Sequence, residues 1–261
     1  MRERGRASRL IFLSVGQGDC SVFESGGTAV LIDVGPKTGT GFDAGERIVV
    51  PRLRSLGVSK VALILLSHPD ADHVGGLAAV MKANPEAQVG ISDQFRRHPG
   101  MLATLKGAGV DPSSVLWFGR HALAHLGAFA LEIETPSWTS GDDNEGSMFV
   151  RISDGASSAV FSGDAPIPAE NAIASATHWT AQILHAGHHG SRTASGEAWL
   201  SQIKPVWAII SCGRDNQYGH PHRSVLDAFT QHRIEVHRTD REGDLVFEEQ
   251  AAGFALVSSG R

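Results

Sequence analysis

The chain has 261 residues, 41% hydrophobic and 20% charged, with 23 basic against 28 acidic side chains and a formal charge of −5. Such proportions belong to a globular protein with a sizeable core and exclude a disordered polyelectrolyte. A nucleic-acid partner would need a local basic patch, or metal ions that offset the acidic balance.

Taken in chain order, residues 1–9 are basic and lead into the short apolar run 10–15, with neither a signal-peptide core nor a cleavage site. No apolar run reaches 18 residues, so no membrane contact is expected. The two cysteines, Cys20 and Cys212, lie in apolar, strand-like surroundings and read as free buried thiols of a cytoplasmic protein. Strands rich in Val, Ile and Phe are expected at 10–15, 20–24 and 29–33, a helix at 46–56 and a fully buried strand at 61–67. A helix at 75–83 follows, then weaker strand and helix signals over 88–118.

The second half mirrors the first, with strands expected at 129–134, 148–153, 158–162, 183–185 and 206–211. Helices at 167–174, 196–203 and 224–231 alternate with them, and closing strands lie near Val236, Val246 and Ala255. No linker or charge block divides the chain, so 1–261 is read as one domain. Strands that meander and then alternate with helices, twice over, fit two packed sheets with helices outside.

Histidine is the outlier among the residue types. There are 13, and His68, His73, His185, His188, His189, His220 and His222 fall in short clusters with Asp and Gly. The densest is Ser67-His68-Pro69-Asp70-Ala71-Asp72-His73-Val74-Gly75-Gly76, between a buried strand and a helix. Two acids and two imidazoles crowded into one loop need a cation to neutralise the carboxylates, and they can divide between two ions. The plainer alternative is an Asp-capped helix start with solvated histidines, but a cap needs one Asp and not this array.

The segment resembles the metallo-β-lactamase signature His-x-His-x-Asp-His, with Asp70 where the second His usually stands. That variant is similar to the hydrolase domain of the ComEC competence proteins and their stand-alone relatives. The resemblance extends over nearly the whole chain: Phe12-Leu13-Ser14-Val15-Gly16-Gln17-Gly18-Asp19, Ile32-Asp33-Val34-Gly35, Asn144-x-x-Ser147-Met148 and Phe161-Ser162-Gly163-Asp164 follow the family's order. So do His188-His189-Gly190-Ser191, Asn216-x-Tyr218-Gly219-His220-Pro221 and Arg238-Thr239-Asp240-x-x-Gly243.

The resemblance implies a four-layer αββα sandwich of the metallo-β-lactamase type, in the α/β class. It also implies two divalent metal ions, zinc or manganese, about 3.5–4 Å apart and held by His68, Asp70, Asp72, His73, Asp164 and His188. Asp164 matches the carboxylate that bridges both ions, although alone a Gly-Asp after a strand reads as a turn. Of the adjacent histidines, one is expected to ligate and the other to orient it or meet substrate, since neighbours on an extended chain point opposite ways. His188 is taken as the ligand, and His189, with Ser191, Asn216 and His220, as substrate-binding.

Asp72, His220 and Ser191 are the expected catalytic residues, with His220 contacting a phosphate oxygen or protonating a leaving group. Asp33 is expected to support a ligand from behind, while Asp19 reads as a turn acid. His185 is either a substrate contact or an ordinary strand residue, and His222 a helix-start residue. Arg96, Arg97 and Arg120 either flank a groove for a polyanion or are solvated charge.

The chain departs from the family's pattern in two respects. Asp70 replaces an imidazole, and the usual histidine between the first motif and Asp164 is absent, its place falling to residues 142–147. Oxygen-rich ligation favours manganese over two tight zinc ions. The implied activity is hydrolysis of a phosphodiester, DNA above all, by metal-activated water. Rival readings are a hydrolase of the same fold acting on another ester, a thioester or a lactam, and a non-catalytic module that binds metal or nucleic acid; protein partners are not indicated.

Overall fold

A computed structural model describes residues 7–136 and 141–260, so residues 1–6 of the basic N-terminal stretch lie outside the described residues. The first sheet begins with β1 (Arg9–Phe12), β2 (Ser21–Ser25), β3 (Thr28–Ile32), β4 (Lys60–Leu65), β5 (Gln88–Ser92) and β6 (Leu116–Phe118). The second holds β7 (His121–Leu126), β8 (Phe129–Glu134), β9 (Phe149–Ser153), β10 (Ser158–Phe161), β11 (Ile183–His185), β12 (Trp207–Ile210) and β13 (Glu235–Arg238). The chain then returns to the first sheet as β14 (Asp244–Gln250) and β15 (Gly253–Gly260).

The strand orders are β15-β14-β1-β2-β3-β4-β5-β6 and β13-β12-β11-β10-β9-β8-β7. In each sheet an antiparallel meander passes into a parallel run, β3 to β6 in one and β10 to β13 in the other. Parallel strands send all their C-terminal ends to one edge, and the loops that leave those ends carry the histidine and aspartate motifs.

Alternation along the strands sorts the core into layers. Leu10 and Phe12 of β1, with Leu63 and Leu65 of β4, face Phe129, Leu131, Phe161 and Ile209 across the space between the sheets. Their neighbours Ile11 and Ile64 turn outward against Leu53 of α1 (Val50–Ser55) and Leu77 and Val80 of α3 (Leu77–Ala83), which follows the short α2 (Ala71–Val74). Met101 and Leu105 of α4 (Pro99–Gly107) join that layer. On the far side, Val160, Leu184 and Ile210 meet Ile173 of α5 (Ile167–Thr177), Trp199 of α6 (Glu197–Ile203) and Phe229 of α7 (Arg223–Gln231). The result is the expected αββα sandwich, and among the described residues no helix is long and apolar enough to cross a membrane.

Two expected helices are divided. Residues 46–56 form a wide π-helical turn, Gly45–Val49, followed by α1; Pro51, with no N–H to give, falls in the first turn of α1, where that donor is not needed. The helix expected over 75–83 begins at Leu77, because α2 already occupies the acidic loop and Gly75-Gly76 separates the two. A Cβ on Gly75 would stand 2.2 Å from the Lys37 backbone nitrogen, and one on Gly76 2.3 Å from the Val34 carbonyl. The glycines let the loop press against the ends of the neighbouring segments. The weakly signalled region 88–118 contains β5, α4 and β6, and the histidines 121 and 125 lie on β7, an edge strand with Leu123 facing outward.

Candidate metal centre

Backbone hydrogen bonds knit the acidic loop to the strand ends beside it. His73 carbonyl accepts from Val34 N–H at 2.8 Å, Asp72 carbonyl from Asp19 N–H at 3.2 Å, and Asp19 carbonyl from Gly35 N–H at 2.8 Å. Asp70 occupies the N-cap of α2 without a side-chain capping bond, so the capping alternative fails. The donor atoms of Asp72, His73, Asp164 and His189 converge instead, all lying within 4.8 Å of one another. His73 Nε2 is 3.1 Å from Asp164 Oδ1, and His189 Nε2 is 3.1 Å from Asp72 Oδ2 and 3.7 Å from Asp164 Oδ2.

Beside this group stand His68, Asp70 and His188. His68 Nε2 is 3.6 Å from Asp70 Oδ2 and 4.0 Å from Asp164 Oδ2, and His188 Nε2 approaches the same Asp164 oxygen at 3.5 Å. Of the other five expected ligands, His68, Asp72, His73 and His188 therefore gather around Asp164, Asp70 stands beside His68, and His189 joins them. The extended chain assumed for 188–189 is absent: both residues are left-handed, with φ of 50° and 55°, inside the turn Gly187–Gly190. That bend turns both imidazoles toward the same carboxylate instead of sending them to opposite faces.

Each imidazole of the compact group is oriented from behind. Asp33 Oδ2 lies 2.8 Å from His73 Nδ1, while its carboxylate also accepts from the Ser67 N–H and hydroxyl, each at 2.8 Å. Asp19 Oδ1 lies 3.1 Å from His189 Nδ1, which is also 3.0 Å from the Ser211 carbonyl. With Nδ1 protonated toward these acceptors, Nε2 is the nitrogen turned to the centre, the one that would exchange a proton for a cation.

The chemistry of the donor set fits a divalent cation. His68 Nε2 is buried with no hydrogen-bond partner, and His73 Nε2 and Asp164 Oδ1 face only each other, an arrangement that would be costly for a site built to stay empty of charge. Burial opposes ionisation throughout, yet the opposing charges prevail. Asp164 is held well below the usual carboxylate range by His73, His189 and His68, and Asp72 falls to about 2 beside His189 and His73. Burial likewise disfavours charged His73 and His189, but Asp164 with Asp33, and Asp164 with Asp19, hold them well above the ordinary histidine value. The carboxylates thus draw positive charge to the Nε2 positions, where proton and metal compete for the same lone pairs. Residues 142–147 add no side chain to the compact group; the Ser147 hydroxyl accepts from Asp164 N–H at 3.2 Å and steadies its backbone.

A cleft of about 170 Å³ opens onto this cluster, lined by Gln17, Asp70, Asp72, Asp164, His188, His189, Tyr218 and His220. His220 stands at its wall, its ring 5.8 Å from that of His188. Burial, with the neighbouring His189, His188 and His222, lowers its pKa to about 4, so its ring is uncharged at neutral pH.

Ser191 and Asn216 do not line the cleft. Ser191 hydroxyl is 2.9 Å from that of Thr193, which lies 3.2 Å from His188 Nδ1, placing Ser191 behind His188. Asn216 spends its amide on its own loop: Nδ2 donates to Gly213 and His220 carbonyls at 3.0 and 2.7 Å, and Oδ1 accepts from His220 N–H at 2.9 Å. It holds His220 in place rather than binding an anion.

His185 is a buried strand residue, stacked on Phe12 and bonded to the Ser211 hydroxyl at 2.9 Å. His222 is the N-cap of α7. Asp19, a turn acid by its sequence, orients His189, and Gln17 and Tyr218 line the cleft; their sequence signals are the Gly16-Gln17-Gly18-Asp19 and Asn216-x-Tyr218 motifs.

Residues 13–214 match the metallo-β-lactamase superfamily. The chain is 27% identical over 208 residues to ComE operon protein 3 of Bacillus subtilis, covering 79% of this chain and 27% of that protein. It is 32% identical over 234 residues to Recombination protein 2 of Haemophilus influenzae, covering 89% of this chain and 28% of the relative. The chain thus spans less than a third of the length of either. Among solved structures, the metallo-β-lactamase fold protein YhfI from Bacillus subtilis superposes with a TM-score of 0.61 at 13% identity, covering 92% of this chain and 99% of that one.

Proposed function

The chain belongs to the metallo-β-lactamase superfamily, and on that premise we propose that it is a metal-dependent phosphodiesterase acting on DNA through a two-metal site. The observation that carries the reading is the convergence of four imidazoles, those of His68, His73, His188 and His189, on the two oxygens of Asp164, with Asp72 in the same compact group. In this reading Asp72, His73, His189 and Asp164 would hold one cation, and His68, Asp70 and His188, with Asp164, would hold the other. The competence-related relatives support DNA as the substrate.

Divalent cations bound there would supply Lewis acidity and lower the pKa of a nearby water. The chain's own residues do the rest. Asp33 and Asp19 hold the Nδ1 protons of His73 and His189, so that Nε2 is the nitrogen that would release its proton to a cation. Asn216 holds the His220 loop closed, so that the neutral imidazole at the cleft wall donates a hydrogen bond to a phosphate oxygen as charge builds on it. Three aspartates among the ligands, with no histidine from 142–147, favour manganese.

Purified protein assayed against bis(p-nitrophenyl) phosphate, DNA, RNA and a β-lactam tests this reading. Phosphodiester hydrolysis should require added divalent metal, with manganese at least matching zinc. Full activity after chelation, or turnover of the lactam alone, would overturn it.

A further inference from the structure

Tyr218 is the only tyrosine in the chain and is 57% exposed at the mouth of the cleft. The other strongly exposed large apolar side chains among the described residues, Leu123, Val206 and Val257, do not line this cleft. One face of the Tyr218 ring is covered by His220, with centroids 5.7 Å apart and planes inclined by 23°. The His220 ring in turn lies 6.3 Å from that of His189, beside Asp164. Three rings thus run outward from the Asp164 carboxylate, and the last offers its surface to solvent.

The loop that carries Tyr218 is preorganised. Asn216 Oδ1 and Nδ2 bond the His220 N–H and carbonyl, and Gly219 N–H donates to the Asn216 carbonyl at 3.3 Å, so residues 217–219 are lifted as a closed bend. Gly219, at φ 70°, completes the bend without a side chain to strain it. Stacking on a ring already fixed by its own loop costs little further conformational entropy. A flat aromatic surface next to a phosphate-sized, cation-attracting cleft is matched by a molecule that joins a π-face to a phosphodiester, which is a nucleotide.

We propose that Tyr218 is a specificity-determining residue that stacks the nucleobase next to the scissile phosphate, so that base-bearing strands are preferred to bare phosphodiesters. The proposal rests on the phosphodiesterase reading. A base enters such a stack by its face, without hydrogen-bond readout, so the platform selects for the presence of a base and tolerates any sequence.

The test compares a short single-stranded deoxyoligonucleotide with an abasic strand of the same length, using wild-type protein, Tyr218→Ala and Tyr218→Phe. Bis(p-nitrophenyl) phosphate is unsuited as the base-free control, because its rings can stack as well. Wild type should show a KM about 10-fold lower for the base-bearing strand, with kcat little different. Tyr218→Ala should bring the two KM values together, and Tyr218→Phe should restore the gap.

In parallel, a strand containing 2-aminopurine should lose fluorescence on binding wild type and Tyr218→Phe but not Tyr218→Ala. Equal KM values for the two strands in wild type, or an alanine variant that slows both strands alike through kcat, would overturn the proposal. If wild type cleaves no phosphodiester, the parent reading fails. The 2-aminopurine signal then decides separately whether Tyr218 stacks a base, and its absence would overturn the stacking as well.

Discussion

Replacing Asp33 by Asn should cost the centre its metal without disturbing the backbone. Asp33 sits at φ 59°, a left-handed conformation that Asn adopts as readily as Asp, so the turn survives the change. The carboxylate accepts three hydrogen bonds, from Ser67 N–H, Ser67 hydroxyl and His73 Nδ1–H, whereas an amide has one oxygen and one NH2 group. The Ser67 N–H is a fixed donor and claims the oxygen, which leaves the NH2 facing His73 Nδ1 at about the wild-type separation of 2.8 Å. Two donors cannot share that contact, so His73 gives up its Nδ1 proton and keeps the one on Nε2. There it meets Asp164 Oδ1, 3.1 Å away, as a hydrogen-bond donor, and the lone pair meant for the cation is gone. Loss of such an orienting partner typically weakens metal binding about 10- to 100-fold, or roughly 1–3 kcal/mol. Competition against a chromogenic chelator measures the change, and the metal-dependent rise in Tm should shrink in step with it. A variant with wild-type metal affinity would refute the assignment of Asp33 as the group that sets the His73 tautomer.

Asp72→Ala should lose metal and activity together, by about 10³-fold, because it removes a carboxylate from the compact group, whereas His220→Ala should keep its metal and lose about 10²-fold in turnover. Metal content by mass spectrometry alongside kinetics separates the two, and metal lost from the His220 variant would make His220 a ligand. Burial raises Glu170 from 4.5 to about 7 despite hydrogen bonds from Gly196 and Ser195, so the folded state holds this proton more tightly than the unfolded chain. Its contribution to stability therefore falls as pH climbs through that window, by about 3 kcal/mol in all, and the Tm of Glu170→Gln minus that of wild type should rise between pH 5 and 7, on top of a constant loss where the amide NH2 meets one of the two backbone N–H donors; a pH-independent difference in melting would contradict this.

The architecture was legible because burial on both faces writes long apolar runs into the parallel strands, and β4, β10 and β12 stood near where those runs placed them. Where burial is one-sided or partial the signal fades. The three residues of β6 are all half-buried, and β7 lies at a sheet edge with its outward side chains in solvent, so neither carries a strong pattern. The ligand motifs were readable for a different reason: carboxylates and imidazoles packed into one short loop have few uses other than cation binding. Asp19 offered no such crowding. It meets His189 from 170 positions away in the chain, and only the pairing of two sheets brings them together.

The two histidines at 188 and 189 mark the limit of reading side-chain direction from spacing. Alternation along an extended chain is a property of backbone dihedrals, and it holds only while φ stays negative. Here the left-handed pair is held by its surroundings: His188 N–H donates to the Gly163 carbonyl at 3.1 Å, and Ser191 N–H to the His188 carbonyl at 2.8 Å. Gly190 follows at φ 81°, where a Cβ would stand 2.7 Å from Pro221 Cβ, so the turn also packs against the loop that carries His220. Left-handed conformation at non-glycine residues is costly and persists where the fold over-determines it. At this turn the strain has a visible return, because it aims two adjacent imidazoles at Asp164 from one short segment. An extended segment could deliver only one of them.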